Sequence, residues 1–271
     1  MEEINKKSLF QIGNIIVVIS TIIINGLANL LPINGKLTGE ISDSIPNLFV
    51  PAGITFSIWG IIYVLLIIFI IYQGQDLFKK EKKDMGFLQD LSFLFIFANL
   101  MNICWIFLWH YEQIILSLAP MILLFLSLLF MYIRLDIGKK IVSKKEQLCV
   151  HVPISVYLGW ITVATIANVT AALVTIGWDG FNINPEIWTI LVLIIATLIT
   201  LGVIIKRKDI AYSLVIIWAF LGIAIKRFGT DPNFGIQTNI ALTAVILCII
   251  ILISLVVSNL QKIVHKKTQD M

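Results

Sequence analysis

Residues 9–31 read LFQIGNIIVVISTIIINGLANLL, an uncharged and mostly apolar run. At about 1.5 Å of rise per residue, such a run crosses the roughly 30 Å hydrocarbon layer of a bilayer as one α-helix. The pattern recurs along the chain. Spans are expected at Leu9–Leu31, Gly53–Gln73, Phe87–His110, Gln113–Leu135, Cys149–Gly177, Glu186–Ile205, Ile210–Ile225 and Ile236–Leu260. The composition, 59% hydrophobic and 13% charged, excludes an ordinary soluble domain, where about 25% of residues are charged. The fold class expected is therefore an all-α integral membrane protein with eight spans. The seventh span is short, and Lys226 and Arg227 are expected to snorkel outward from its end.

Lys and Arg set orientation, whereas acids contribute little. Lys6, Lys7, Lys79, Lys80, Lys82, Lys83, Arg134, Lys139, Lys140, Lys144, Lys145, Lys206, Arg207, Lys208, Lys262, Lys266 and Lys267 fall on one side of the eight-span reading. Only Lys36, Lys226 and Arg227 fall on the other. Both termini are thus expected in the cytoplasm, with the 32–52 loop outside. The net charge of +4 then reflects topology and attraction to anionic headgroups, with no nucleic-acid partner. Leu9–Leu31 is too long for the apolar region of a cleavable signal, so it reads as a retained span. Cys104, Cys149 and Cys248 match neither a zinc site nor a disulfide framework, and each is expected to be a buried small hydrophobe.

The longest connection, 32–52, is rich in turn formers, yet Ile41, Ile45, Leu48, Phe49 and Val50 imply that it packs onto the bundle. His110–Glu112 reads as a tight hairpin. No internal repeat is present, which withholds support from an inverted-repeat transporter. Gly26, Gly60, Gly159 and Gly202 are candidates for close helix packing.

The spans carry amides and aromatic rings where transporters often carry charge; Asp90 lies only a few residues inside the third. Trp109, Trp178 and Trp188 fall at the outer boundary and read as interfacial belt residues. Trp59 and Trp105 lie roughly 8–9 Å below the outer helix ends, and Tyr63, Asn102 and Asn168 roughly 12–15 Å. Three helices thus contribute to one layer. Two readings fit it. The amides are interhelical glue, worth about 0.6 kcal/mol each, or the layer lines a pocket for a flat apolar ligand. His110 and His151 lie at opposite span ends and His265 in the tail, so they cannot form one metal site. A single His as axial haem ligand, or a pH-responsive His110 or His151, are the alternatives. Neither an acid pair nor a His-based dyad supports an enzyme.

Three segments carry a resemblance. Span 2 reads Pro51-Ala-Gly-Ile-Thr-Phe56-Ser-Ile-Trp59-Gly-Ile-Ile-Tyr63. Span 3 reads Asn102-Ile-Cys-Trp105-Ile-Phe-Leu-Trp109. Span 5 runs from Pro153 through Tyr157, Trp160, Ala164 and Ala167 to Asn168. Together they resemble the tryptophan-rich sensory protein family, the TspO/MBR translocators, over about residues 9–178. The resemblance implies a TspO-like five-helix transmembrane core at 1–178, followed by three additional helices and a tail at 179–271. It implies a pocket in the outer half of the bundle lidded by the first loop, a tetrapyrrole (haem or protoporphyrin) or sterol-like ligand, a sensory or regulatory role without catalysis, and homodimers. Trp59, Tyr63, Asn102, Trp105, Asn168, Phe56, Tyr157 and Trp160 would be the ligand-binding residues, with no cofactor required. The family carries tryptophans in its first loop, whereas here no Trp precedes Trp59. The alternative reading is a small-molecule transporter or permease component. Membrane lipids are the expected surroundings, and the Ile- and Lys-rich composition points to a bacterial plasma membrane.

Overall fold

The structure is a computed structural model that describes residues 2–31, 33–91 and 93–269, with side chains within 7–260. The readings made above on the side chains of Lys6, Lys262, His265, Lys266 and Lys267 lie outside the described residues. Among the described residues the fold is helical, with one isolated bridge between Asp231 and Gly235.

Helix α1 runs Glu2–Leu30, and α2, Thr38–Ser44, lies in the first loop. A 3-10 turn, Gly53–Ser57, leads into α3, Ile58–Gln73. The third span, expected as Phe87–His110, is divided into a short α4, Phe87–Leu91, and α5, Leu94–His110. Helix α6 is Ile114–Arg134. Helix α7, Lys144–Glu146, passes through a π-turn, Gln147–His151, into α8, Val152–Thr175. Then follow α9, Pro185–Arg207, α10, Ile210–Phe228, and α11, Thr238–Gln269. Seven helical segments are long and apolar enough to cross a membrane, while α5 is a shorter apolar helix. The helix starts follow local chemistry. Asn184 Oδ1 caps α9 ahead of Pro185, and Asp209 Oδ1 caps α10 by accepting from Tyr212 N; both satisfy amides that the first turn leaves open.

Helix α8 is the most buried span and packs against α6, α10 and α3. Helices α5 and α6 pack along the hairpin at His110–Glu112, where Glu112 sits at φ 56° and Gln113 N closes onto Leu108 O. The last three helices share one apolar core with the first five. Helix α10 lies against α8 and against the 3-10 turn before α3. Of the four glycines expected to permit close packing, only Gly159 does so: a Cβ there would sit 3.0 Å from Val215 Cβ. Gly26, Gly60 and Gly202 face open space. Between helix α10 and the 3-10 turn the approach at Gly222 is closer than that at Gly159, since a Cβ there would fall 2.0 Å from Thr55 Oγ1.

At the lysine-rich end, a polar clamp joins α1 to the segment after α3. Asp76 is buried and accepts from Lys7 Nζ, Gln11 Nε2 (2.8 Å) and Lys83 N (2.7 Å). One turn inward, Gln73 Nε2 donates to Gln11 O (2.9 Å) and Asn14 Nδ2 donates to Gln73 Oε1 (3.1 Å). These bonds answer the cost of polar groups in hydrocarbon.

Three expectations are corrected here. Arg227 does not snorkel outward: its side chain is fully buried and ion-pairs with Asp231 at 3.2 Å, because the 229–237 turn folds back over it. Cys104 is exposed and Cys149 half-buried, so only Cys248 is a buried small hydrophobe. Trp109 is no belt residue, since α2 covers it and it is 5% exposed.

Candidate functional site

The first loop closes over one end of the bundle, called here the lid end. Its apolar residues pack as expected, with Ile41, Leu48, Phe49 and Val50 buried and Ile45 half-buried. Four bonds tie it to the end of α5, one of them from Asn34 Nδ2 to His110 O at 3.1 Å. Thr38 Oγ1 lies 2.9 Å from His110 Nε2, His110 Nδ1 lies 3.1 Å from Ile33 O, and Trp109 Nε1 donates to Thr38 O at 3.2 Å. A carbonyl only accepts, so the His110 proton is assigned to Nδ1, and Nε2 accepts from the Thr38 hydroxyl.

Beneath the lid, the aromatic side chains named from the sequence meet. Trp59 is their hub. Its ring stacks on Tyr63 (5.7 Å between centroids) and Trp105 (6.4 Å), and meets the Tyr157 (6.1 Å) and Trp160 (6.2 Å) rings edge-on. Phe56 packs edge-on to Trp160 at 5.8 Å, and Trp105 stacks on Trp109 at 5.7 Å. Rings from α3, α5 and α8 thus form one continuous layer. Offset and edge-on pairs of this kind contribute about 0.5–1.5 kcal/mol each beyond the area they bury.

Two amides brace the layer. Asn168 Oδ1 accepts from Trp105 Nε1 at 3.0 Å, and its Nδ2 donates to Ser117 Oγ at 3.0 Å, joining α8 to α5 and α6. Asn102 Oδ1 accepts from Asn25 Nδ2 at 2.8 Å, joining α5 to α1. Asn102 also lies beside Tyr157, but the two do not meet hydrogen-bonding geometry. Asn102 Nδ2, Tyr157 Oη and Trp160 Nε1 are buried without a partner among the described residues. An orphan of this sort costs about 1–3 kcal/mol, so these atoms call for an acceptor.

Between the lid and the rings is a slot of about 40 Å³, walled by Phe56, Trp59, Trp105, Trp109, Trp160 and Asn168 with small residues of α8. That volume holds only a water or two. On the far side of Phe56 and Trp59 is a groove of about 350 Å³ between α1, α2 and α3, which Asn25, Gly26, Asn29, Gly60 and Tyr63 also line. Phe56 and Trp59, with Thr38, line both slot and groove. Tyr63 sits on the groove side, whereas Asn102 and Tyr157 line neither space. Slot residues that the sequence did not assign to the site include Thr38, Ser42, Val163, Ala171 and Trp109, the last expected at the interfacial belt; the aromatic spacing Trp105–Trp109, one helical turn, was the signal for it. The slot presents aromatic walls with the Thr38 and Ser42 hydroxyls and the Asn168 amide as its polar groups. Its lining offers no His, Cys, Met or Tyr, so a haem iron would find no axial ligand there. No group of His, Cys, Asp and Glu that could hold a metal occurs among the described residues.

The family described as "TSPO-like protein" matches the chain over residues 11–257. The chain belongs to this family. The match runs past residue 178 and takes in α9, α10 and most of α11, so it is wider than the resemblance drawn from the first five spans. No curated protein and no solved structure matches the chain.

Proposed function

We propose that this TSPO-like membrane protein binds a flat hydrophobic small molecule between the lid and the Trp59-centred layer, and that binding serves a sensory or regulatory role. Family membership supports a membrane ligand-binding protein, and the family is generally non-enzymatic. The observation that carries the reading is the layer itself: four aromatic rings packed around Trp59, with Trp160 Nε1 buried and unpartnered at the slot wall. A tetrapyrrole is the leading candidate. The slot alone offers no axial donor, whereas the groove adds the Tyr63 phenol, so haem and metal-free protoporphyrin are both candidates. Phe56 and Trp59 would swing to join slot and groove, giving access from between α1 and α3. In this reading all eight apolar helices span a bacterial plasma membrane, with α5 as the short span. The lysine-rich end and both termini lie in the cytoplasm, and the core of 1–178 is flanked by the helices of 179–271, in a homodimer.

Tryptophan-fluorescence quenching in detergent, titrated with protoporphyrin IX, tests the assignment. Saturable quenching is expected, and a Trp59→Ala/Trp105→Ala chain should lose it. Linear quenching that the double substitution leaves unchanged marks partitioning into the micelle and rejects the site. Ligand flux across proteoliposomes carrying the protein would instead establish the transporter reading.

A further inference from the structure

A second cavity of about 340 Å³ opens where α9 and the 229–237 turn meet the lid end. It shares no lining residue with the aromatic slot. Its walls include Trp178, Trp188 and Phe234, with Asp179, Asn47 and Thr189 as polar groups. The Trp178 ring packs against Trp188 at 5.4 Å and edge-on to Phe181 at 5.5 Å. Trp188 Nε1 donates to Gly180 O at 2.8 Å, and a Cβ on Gly180 would sit 3.1 Å from that nitrogen. The 177–182 turn is therefore shaped around the indole. On the opposite wall, Asn47 Nδ2 donates to Thr170 Oγ1 at 2.7 Å and holds the lid segment to α8.

Charge is distributed unevenly around this cavity. Each cation at the lid end is taken by an acid: Lys36 by Glu112 (2.6 Å), Lys226 by Asp43, and Arg227 by Asp231 (3.2 Å). Glu40, Asp179 and Glu186 are left without a cation among the described residues. Asp179 is the one that lines the cavity. Its Oδ1 accepts from Phe181 N at 3.0 Å, and its other oxygen has no donor among the described residues.

Indole faces attract positive charge, and more strongly as the cation sheds water. A carboxylate beside them supplies the counter-charge. A small inorganic ion would have to give up tight hydration for contacts with rings, whereas an alkylated ammonium carries its charge under an apolar coat. We infer that this cavity binds an organic cation, a quaternary or tertiary ammonium with apolar substituents. The volume lies within the range of small-molecule pockets, about 300–1,000 Å³.

The test is isothermal titration of the full chain in nonionic detergent with benzyltrimethylammonium, and with uncharged N,N-dimethylbenzamide of similar size. The cation is expected to bind saturably and at least about tenfold more tightly than the amide, a ratio that cation–π attraction and the carboxylate together support. Asp179→Asn keeps an acceptor for Phe181 N and removes only the charge; because Asp179 is exposed, it should weaken the cation about two- to fivefold and leave the amide unchanged. Trp178→Leu should weaken the cation as well. Both probes should bind as before in the Trp59→Ala/Trp105→Ala chain. Equal affinity for cation and amide, an Asp179→Asn chain that binds the cation as tightly as before, or no saturable binding would each overturn the inference.

Discussion

The Trp105 indole N–H donates to Asn168 Oδ1 at 3.0 Å and ties α5 to α8 beneath the lid. The same amide donates to Ser117 Oγ on α6 at 3.0 Å, so one side chain fixes three helices in register. Both partners are buried, Trp105 at 5% and Asn168 at 2% exposure. A membrane interhelical hydrogen bond contributes about 0.6 kcal/mol on average, but stranding a buried donor costs about 1–3 kcal/mol. The second effect dominates here because Trp105 Nε1 makes no other hydrogen bond among the described residues. Asn168→Leu should therefore destabilise by about 1–3 kcal/mol, read from unfolding in mixed micelles. A loss near 0.6 kcal/mol would mean that water has replaced the amide.

Gly222→Ala should destabilise through the close seat of Thr55. The new methyl would lie 2.0 Å from Thr55 Oγ1 and 2.9 Å from Thr55 Cβ, so the 3-10 turn must move off α10. That motion strains two bonds, Ala52 N to Gly222 O and Trp218 Nε1 to Thr55 O. Overpacking of this kind costs about 1–3 kcal/mol. Thr55→Ala in the same chain should recover part of the lost thermal midpoint by removing Oγ1 and Cγ2.

Asp76 should make the lysine-rich end acid-sensitive. Burial opposes its ionisation, but hydrogen bonds from Lys7, Gln11 and the Lys83 N–H outweigh burial and hold the carboxyl at about 2, below its usual 3.8. A depressed carboxylate adds stability that is complete above the unfolded value and lost as pH falls through the folded one. Stability should thus be flat in this respect from pH 7 to 5 and decline from about 4 towards 2. Asp76→Asn should remove that slope and cost about 1–2 kcal/mol at neutral pH, after screening at the partly exposed Lys7 is discounted. Chemical denaturation across pH, run on both chains, measures the difference.

Thr38→Val should loosen the lid without disturbing the bundle. It removes the hydroxyl that faces His110 Nε2 and retains the carbonyl that Trp109 uses. Leaving the ring nitrogen unpaired costs about 1 kcal/mol. Amides in the lid should exchange about fivefold faster, with protection in α8 unchanged.

The layer of rings was legible because its members recur at helical spacing on three runs whose depth follows from hydropathy. Phe56, Trp59, Tyr157 and Trp160 indeed converge. What stayed hidden depends on how helices rotate and which segments fold back. Trp109 lies at a helix end, where a belt position and a seat beneath the lid look alike in sequence. Arg227 seemed free to reach water until the 229–237 turn closed over it. The Thr55–Gly222 contact joins residues far apart in the chain, and neither residue type announces a partner. The amides showed the same division. Asn102 and Asn168 stood out for being polar at depth, but that Asn168 reaches Ser117 and Asn102 reaches Asn25 followed only from packing.

The slot of about 40 Å³ has a kinetic consequence. An occupant the size of a macrocycle can bind only to a widened conformer, so the measured constant is the intrinsic one divided by the fraction of molecules that are open. If one molecule in about a hundred is open, affinity falls about a hundredfold below what the rings alone would confer. Association would then level off at the opening rate as ligand concentration rises, and the resting protein would act as a clock for its own occupancy.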